Sequence, residues 1–312
     1  GSSQQALQSA SQAIRAGDAD AILVAGVESM SRVPMGSAAA GADPYGPRVA
    51  ARFAGGLVPQ GISAEIIAAR WDLARADLDA WAVRSHHLAA DAAARGALVD
   101  ELLPVAIDRG GDGGGDGADD GPLTADEGVR PSTTADALAQ LQPAFWDPTW
   151  QVRFPELRWH VHAGNASQLS DGAAALLLTS RARADARGMT PLARVASSVA
   201  VGADPILNLT GVIPATERAL ARAGMTLDDV DLFEVNEAFA SVVLAWLADV
   251  GADPDKVNVR GGAIANGHPL GASGAKLTTT LLSALRETGG AVGLQVMCEG
   301  GGMSNATVFE RV

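Results

Sequence analysis

The sequence predicts an α/β protein, and three observations carry that expectation. From Gly164 onward, short apolar runs suited to buried strands alternate with segments of helical period. The chain opens in a related way, with a helical pattern feeding an apolar run. Apolar residues make up 47% of 312 positions, enough to bury a large core in two domains or one large α/β unit.

The first element is "GSSQQALQSASQAI". Ala6, Leu7, Ala10, Ala13 and Ile14 recur at helical spacing, with Ser2 or Ser3 as N-cap and Gly17 as stop. "AILVAGVES" then reads as a buried strand. A helix that feeds a buried strand normally follows an earlier strand, so the expectation is a chain that lacks its beginning. Residues 31–61, rich in Gly, Pro and Ala, read as irregular. A helix is expected from Ser63, and another from an N-cap at Asp77 to a stop at Gly96. "RGGDGGGDGADDG" (109–121) is low-complexity. Its acidic spacing resembles a calcium loop, but counting from Asp112 the twelfth position is Leu123, not a carboxylate, so a solvated insertion is the plainer reading.

The last half is read as strands at 171–180 and 193–202 around a short helix, then a helix at "PATERALARAG" and a strand at "VDLFEV". A helix at "EAFASVVLAWLADVG", a strand at "KVNVRGG" and a helix at "GASGAKLTTTLLSALRETGG" follow. "AVGLQVM" and "SNATVFERV" close the chain as strands. This alternation implies a largely parallel, helix-covered sheet. The opening segment and "GASGAKLTTTLLSALRETGGAVGLQV" share an outline of Gly-x-Ser, apolar helix, Gly turn and strand. Duplicated halves explain it, as does chance likeness of two α/β units.

A net charge of −13 excludes nucleic acid or an anionic membrane surface as the main partner, though not a small anionic ligand held by local donors. No stretch is apolar and long enough to span a membrane. The single cysteine, Cys298, excludes an internal disulfide framework and fits a reducing, cytoplasmic location.

Three motifs in the last third can carry chemistry: "NEAFA" (236–240), "GGAIANGHPLGASG" (261–274) and "MCEGGG" (297–302). All fall at strand ends, where open α/β sheets build sites. A thiolate at Cys298 is a nucleophile or base when an imidazolium or helix N-terminus stabilises it. His268 can move a proton near neutral pH or donate to an oxyanion. Taken singly, Cys298 reads equally as a small core residue, His268 as a turn residue and Asn236 as an N-cap. His86 and His87 point to different faces of a helix. His160 and His162 share a strand face, but no third zinc ligand accompanies them.

These motifs resemble the thiolases, the acetyl-CoA acyltransferase family. The likeness covers nearly the whole chain, through "GSSQQAL", "AGVESMSRVPMG", "QGISAE", "AGNASQLSDGAA", "GVIPATERAL", "NEAFAS", "NVRGGAIANGHPLGASGA" and "CEGGGM" in order. The resemblance implies two similar βαβ-type halves packed in layers, the first incomplete here, with an inserted loop domain. The expected divisions are 1–30 as remnant of the first half, 31–163 as loop domain, 164–202 as return strands of the first half and 203–312 as the second half. It also implies that the residue before Gly1 is the nucleophilic cysteine, so this chain alone is expected to be inactive.

By the same resemblance His268 activates that cysteine and polarises the thioester oxygen, with Asn236 holding a water in the same oxyanion site. Cys298 moves the α-proton, and the Gly300 N–H helps form a second oxyanion site. Ser197, Ala238, Phe239 and Phe145 would contact the pantetheine arm. Gln142 in "LQPAF" departs from the basic residue usual before Phe145. The implied activity is thiolytic cleavage of 3-ketoacyl-CoA in fatty-acid or related β-oxidation, with coenzyme A as substrate and no further cofactor. The implied partners are CoA thioesters, a homodimer or homotetramer, and a β-oxidation partner subunit. The alternatives are a non-catalytic CoA- or partner-binding protein on the same fold, a biosynthetic acetoacetyl-CoA thiolase, and a hydrolase built on Cys298 and His268.

Overall fold

In a computed structural model, residues 1–106 and 122–312 are described. The Asp/Gly-rich segment weighed above for calcium lies outside the described residues. The elements run α1 (Ser2–Ala16), β1 (Ala21–Ser29), α2 (Gly46–Arg52), α3 (Gln60–Arg70), α4 (Arg75–Ala94), α5 (Ala135–Ala139) and α6 (Pro148–Arg153). Then come β2 (Asp171–Thr179), α7 (Arg181–Ala186), β3 (Ala193–Gly202), α8 (Val212–Ala223), β4 (Leu232–Val235) and α9 (Ala240–Val250). Last are α10 (Ala263–Asn266), α11 (Ser273–Thr288), β5 (Val292–Cys298) and β6 (Met303–Arg311). No helix among the described residues is long and apolar enough to cross a membrane.

The strands form an antiparallel pair, β1–β2, and a four-stranded sheet of order β3-β6-β5-β4. Helices α1 and α11 lie between the two sheets, touching both, and α8 packs on the outer face of the larger one. The two central helices approach closely. A Cβ at Gly274 would collide with the backbone of Gln4, and Ala275 N–H donates to Ser3 Oγ at 3.0 Å. Ser2 and Ser3, expected as N-cap, are already within the helix, and the Ser3 hydroxyl serves the neighbouring helix instead of capping α1.

Several expectations are corrected. Only β4–β5 is a parallel pair among the described strands, so the sheet is not largely parallel. Strand 193–202 does not return to the first half: it pairs antiparallel with β6, and α7 carries the chain from one sheet to the other. β1 is not buried on both faces. Its accessibility alternates, with Leu23 and Val27 exposed beside Leu177 of β2, because the pair has helices on one side only. β4, β5 and β6, sandwiched between helix layers, are buried almost throughout and hold the core. Within it Trp246 packs edge-on to Phe233 at 5.4 Å and donates its indole N–H to Thr216 Oγ1 at 2.9 Å.

Asp77 caps α4 from its third position, accepting the N–H of Ala74, and α3 begins three residues before Ser63. "KVNVRGG" is not a strand. Asn258, at φ 48°, lets its side chain act as a strand peptide: Nδ2 donates to Val235 O at 2.8 Å and Oδ1 accepts Val235 N–H at 2.8 Å. This ends β4 just before Asn236 and turns the chain through Gly261 toward α10.

Candidate active site

The site forms where β4 and β5 end side by side. Asn236 N–H donates to Val296 O at 3.0 Å, so Asn236 still runs along β5 as it leaves β4. Two residues beyond Val296, Cys298 is the last residue of β5. The third component, His268, arrives on the loop between α10 and α11. Its N–H meets Gln168 O at 3.2 Å and Ser170 Oγ at 3.1 Å.

These side chains converge. Asn236 Nδ2 donates to His268 Nε2 at 3.4 Å, and the Asn236 side chain favours the ionised form of Cys298. Asn236 Oδ1 is buried with no partner among the described residues, an acceptor aimed into the cluster. The far side of the imidazole fixes its tautomer. Ser273 Oγ donates its one proton to Pro269 O at 2.9 Å and therefore accepts at 2.6 Å from His268 Nδ1–H. Nε2 is then a bare lone pair facing Asn236.

Electrostatics complete the picture. Burial and the charge of Lys276 hold His268 down at about 3, so the ring is neutral. Burial pushes the Cys298 thiol up to about 11, against the opposing effect of Asn236, so it rests protonated. Glu299 is raised by burial. Gly1 stands at the edge of the cluster, where a Cβ would run into the Glu299 carboxylate. Gly300 is exposed next to it, at the start of a 3-10 turn, with Gln60 Nε2 3.6 Å from where its Cβ would be.

The apolar wall also assembles. Phe145 and Phe239 meet edge to face at 6.0 Å, and Gly61 leaves room for the Phe145 ring. Ala238 and Phe239 are buried beside "AGNAS": Ala240 N–H donates to Asn165 O at 2.9 Å, and Ser167 N–H to Ala238 O at 3.0 Å.

Ser197 is not brought to this group. It lies buried under α8, its hydroxyl donating to Ala219 O at 2.7 Å, which leaves it no surface to meet a ligand. The half-buried serine adjoining Ala238 and Phe239 is Ser167, in a motif already noted but not read for contacts. The sequence reading also passed over Glu237. Fully buried, it accepts from Trp81 Nε1 (2.9 Å), Ser85 Oγ (2.7 Å), Asn258 Nδ2 (3.0 Å) and Ile264 N–H (3.1 Å). It ties α4 to the start of α10, and the crowding at Gly262 follows, since a Cβ there would strike its carboxylate.

His160 and His162 do not sit on a strand. His160 Nδ1 donates to Leu73 O at 3.1 Å and His162 Nε2 to Asp79 Oδ1 at 2.7 Å, so both tie the loop segment to α4 and its approach. No cluster suited to a metal occurs among the described residues.

Comparison with known proteins agrees with this geometry. The family model "Thiolase, N-terminal domain" matches residues 1–182, and "Thiolase, C-terminal domain" matches residues 189–311. A steroid 3-ketoacyl-CoA thiolase, FadA6, of Mycobacterium tuberculosis is 41% identical over the whole of this chain and 73% of its own length. The 3-ketoacyl-CoA thiolases of Escherichia coli and Cronobacter sakazakii are each 43% identical, again over all of this chain and 76% of theirs. With both family models in sequence order and the three motifs converging at one pair of strand ends, the chain belongs to the thiolase family.

Proposed function

We propose that this site serves thiolytic cleavage of a 3-ketoacyl-CoA by coenzyme A, a 3-ketoacyl-CoA thiolase reaction. The observation that carries the reading is the joining of His268, Asn236 and Cys298 in one buried cluster, with the protonation states the reaction needs. A thiolate attacks the 3-keto carbon, the bond between C2 and C3 breaks, and its electron pair goes to C2. Cys298, kept protonated by burial, gives C2 its proton and releases acetyl-CoA. The proton held on His268 passes to the Cys298 thiolate; His268 then takes the proton of incoming CoA–SH, whose sulfur attacks the acyl-cysteine, frees the shortened acyl-CoA and leaves a cysteine thiolate that takes that proton back. His268, with Nε2 unprotonated, accepts the proton of the attacking cysteine and then donates toward the carbonyl oxygen. Asn236 Oδ1 is the free acceptor for a water in that oxyanion site, and the exposed Gly300 N–H serves the other. Ala238, Phe239 and Phe145 line the pantetheine passage.

Cys298 is the only cysteine among these 312 residues. A polypeptide of residues 1–312 therefore has no acyl-accepting thiol separate from the proton donor and is inactive. The place for that thiol is directly ahead of Gly1, at the edge of the cluster. The test mixes acetoacetyl-CoA and CoA with residues 1–312 and with a polypeptide bearing a cysteine at that place, following loss of enolate absorbance. Turnover by the former, or failure of the latter, correctly folded, to form an acyl-cysteine, overturns the reading. The alternative, a thiolase-fold protein that binds CoA thioesters without turnover, is separated from this reading by acyl-cysteine formation. The apolar residues exposed on β1–β2 support a homo-oligomer, and the lone reduced cysteine supports a cytoplasmic location.

A further inference from the structure

Beneath the His268 loop lies a half-buried cation that the reaction above does not use. Lys276 sits in the first turn of α11, where the helix dipole disfavours positive charge. Its ammonium is nonetheless turned inward, donating to Asn266 O at 2.7 Å and Gly267 O at 3.2 Å. Acidic groups face it from several elements: Glu234 on β4, Glu237 just beyond β4, Glu101 after α4, and Asp126. Glu234 is fully buried with Oε2 unpartnered among the described residues.

The two carbonyls it holds immediately precede His268. Gly267 has φ 78° and ψ 163°, a backbone region open essentially to glycine alone. Such a peptide keeps one orientation only when its surroundings over-determine it. Gln168 fixes one side of the loop, donating from Nε2 to Ile264 O and Ala265 O at 2.8 and 2.9 Å. On the other side, Lys276 and Ser273 lie three residues apart on α11, one holding the loop backbone and the other the ring.

We propose that Lys276 is a positioning residue for His268: by holding the Asn266 and Gly267 carbonyls it sets the backbone that aims the imidazole at Asn236. The inference rests on His268 acting as the base, but its test reads the ring itself and not turnover. An inactive enzyme with an undisturbed His268 would count against the proposed reaction and leave this assignment standing.

The experiment is nuclear magnetic resonance on residues 1–312 with labelled histidine, the His268 signals identified by their loss in His268→Gln. In the unsubstituted chain His268 is expected as a single Nδ1–H tautomer that stays neutral well below pH 6. Lys276→Met and Lys276→Gln should replace the single Nδ1–H tautomer by a mixture of the two. Lys276→Arg should restore the original pattern. If either the Met or the Gln variant folds and His268 keeps its single tautomer, the assignment is wrong. A direct measurement needs no variant. The lysines are Lys256 and Lys276 alone, so labelled lysine gives two ammonium signals. That of Lys276 should exchange slowly with solvent; exchange as fast as that of a free amine overturns the proposal.

Discussion

His268 Nδ1 lies 2.6 Å from Ser273 Oγ, and the Ser273 hydroxyl is itself donated to Pro269 O at 2.9 Å. A neutral imidazole carries one proton, so this chain of two bonds decides which nitrogen is the base. Without Ser273 the proton is free to move to Nε2. In an enzyme carrying its acyl-accepting cysteine, Ser273→Ala should lower kcat by about 10²-fold, as for a group slightly misplaced. KM should change little. Steady-state kinetics on the two proteins is the measurement, and an unchanged kcat would remove Ser273 from the mechanism.

Cys298→Ala in the same enzyme should separate the two half-reactions. Acyl exchange between acetyl-CoA and labelled CoA needs His268 and the first oxyanion site, and should persist. Thiolysis needs a proton at C2 and should fall by about 10²–10⁴-fold. His268→Ala should depress both. Equal loss of exchange and thiolysis in the Cys298 variant, with the fold intact, would assign Cys298 to acyl transfer as well.

The neutral state of His268 has a consequence for stability. Its folded value of about 3 lies below the ordinary 6.5, so from pH 6.5 downward the unfolded chain binds a proton that the folded chain refuses. Stability is lost as pH falls through that window, by about 1.4 kcal/mol per pH unit at most. His86, also lowered by burial to about 4, adds in the same direction. Cys298 acts at the other end: its thiol is held up to about 11, so stability falls as pH rises above 9. Thermal melts of the chain and of His268→Gln should differ least between pH 7 and 9. At pH 5 the variant should have gained on the parent. Parallel curves down to pH 5 would mean that the imidazole is not held neutral.

Ser197 gives a test of the correction made above. Ser197→Ala removes a buried hydrogen bond to Ala219 O and should cost about 1 kcal/mol in denaturant unfolding. Affinity for CoA, measured by calorimetry, should not move. A marked loss of CoA affinity without loss of stability would return Ser197 to the site.

The sequence by itself determined the alternation of α8, β4, α9, α11, β5 and β6, because each has an apolar period and a glycine or turn at its end. It also determined that Asn236 and Cys298 fall at the mouths of strands and that His268 matters with them, since the motifs around them are specific, but it placed the His268 loop at a strand end as well, whereas that loop joins α10 to α11. It could not decide how strands pair. β2 and β3 are both apolar and only 13 residues separate their ends, from 179 to 193, yet one joins β1 and the other β6. That choice rests on which faces the helices α1 and α11 leave to be covered, and no local pattern encodes it. The same limit explains β1, which reads as buried and is half exposed, and "KVNVRGG", where a side-chain amide stands in for a strand peptide. Tertiary structure alone decided the chemistry of the site as well. The imidazole tautomer depends on a hydroxyl five residues away, the protonated thiol on burial, and the aim of the loop on a lysine folded inward beneath it. These are effects of distance and desolvation, which exist only once the chain has packed.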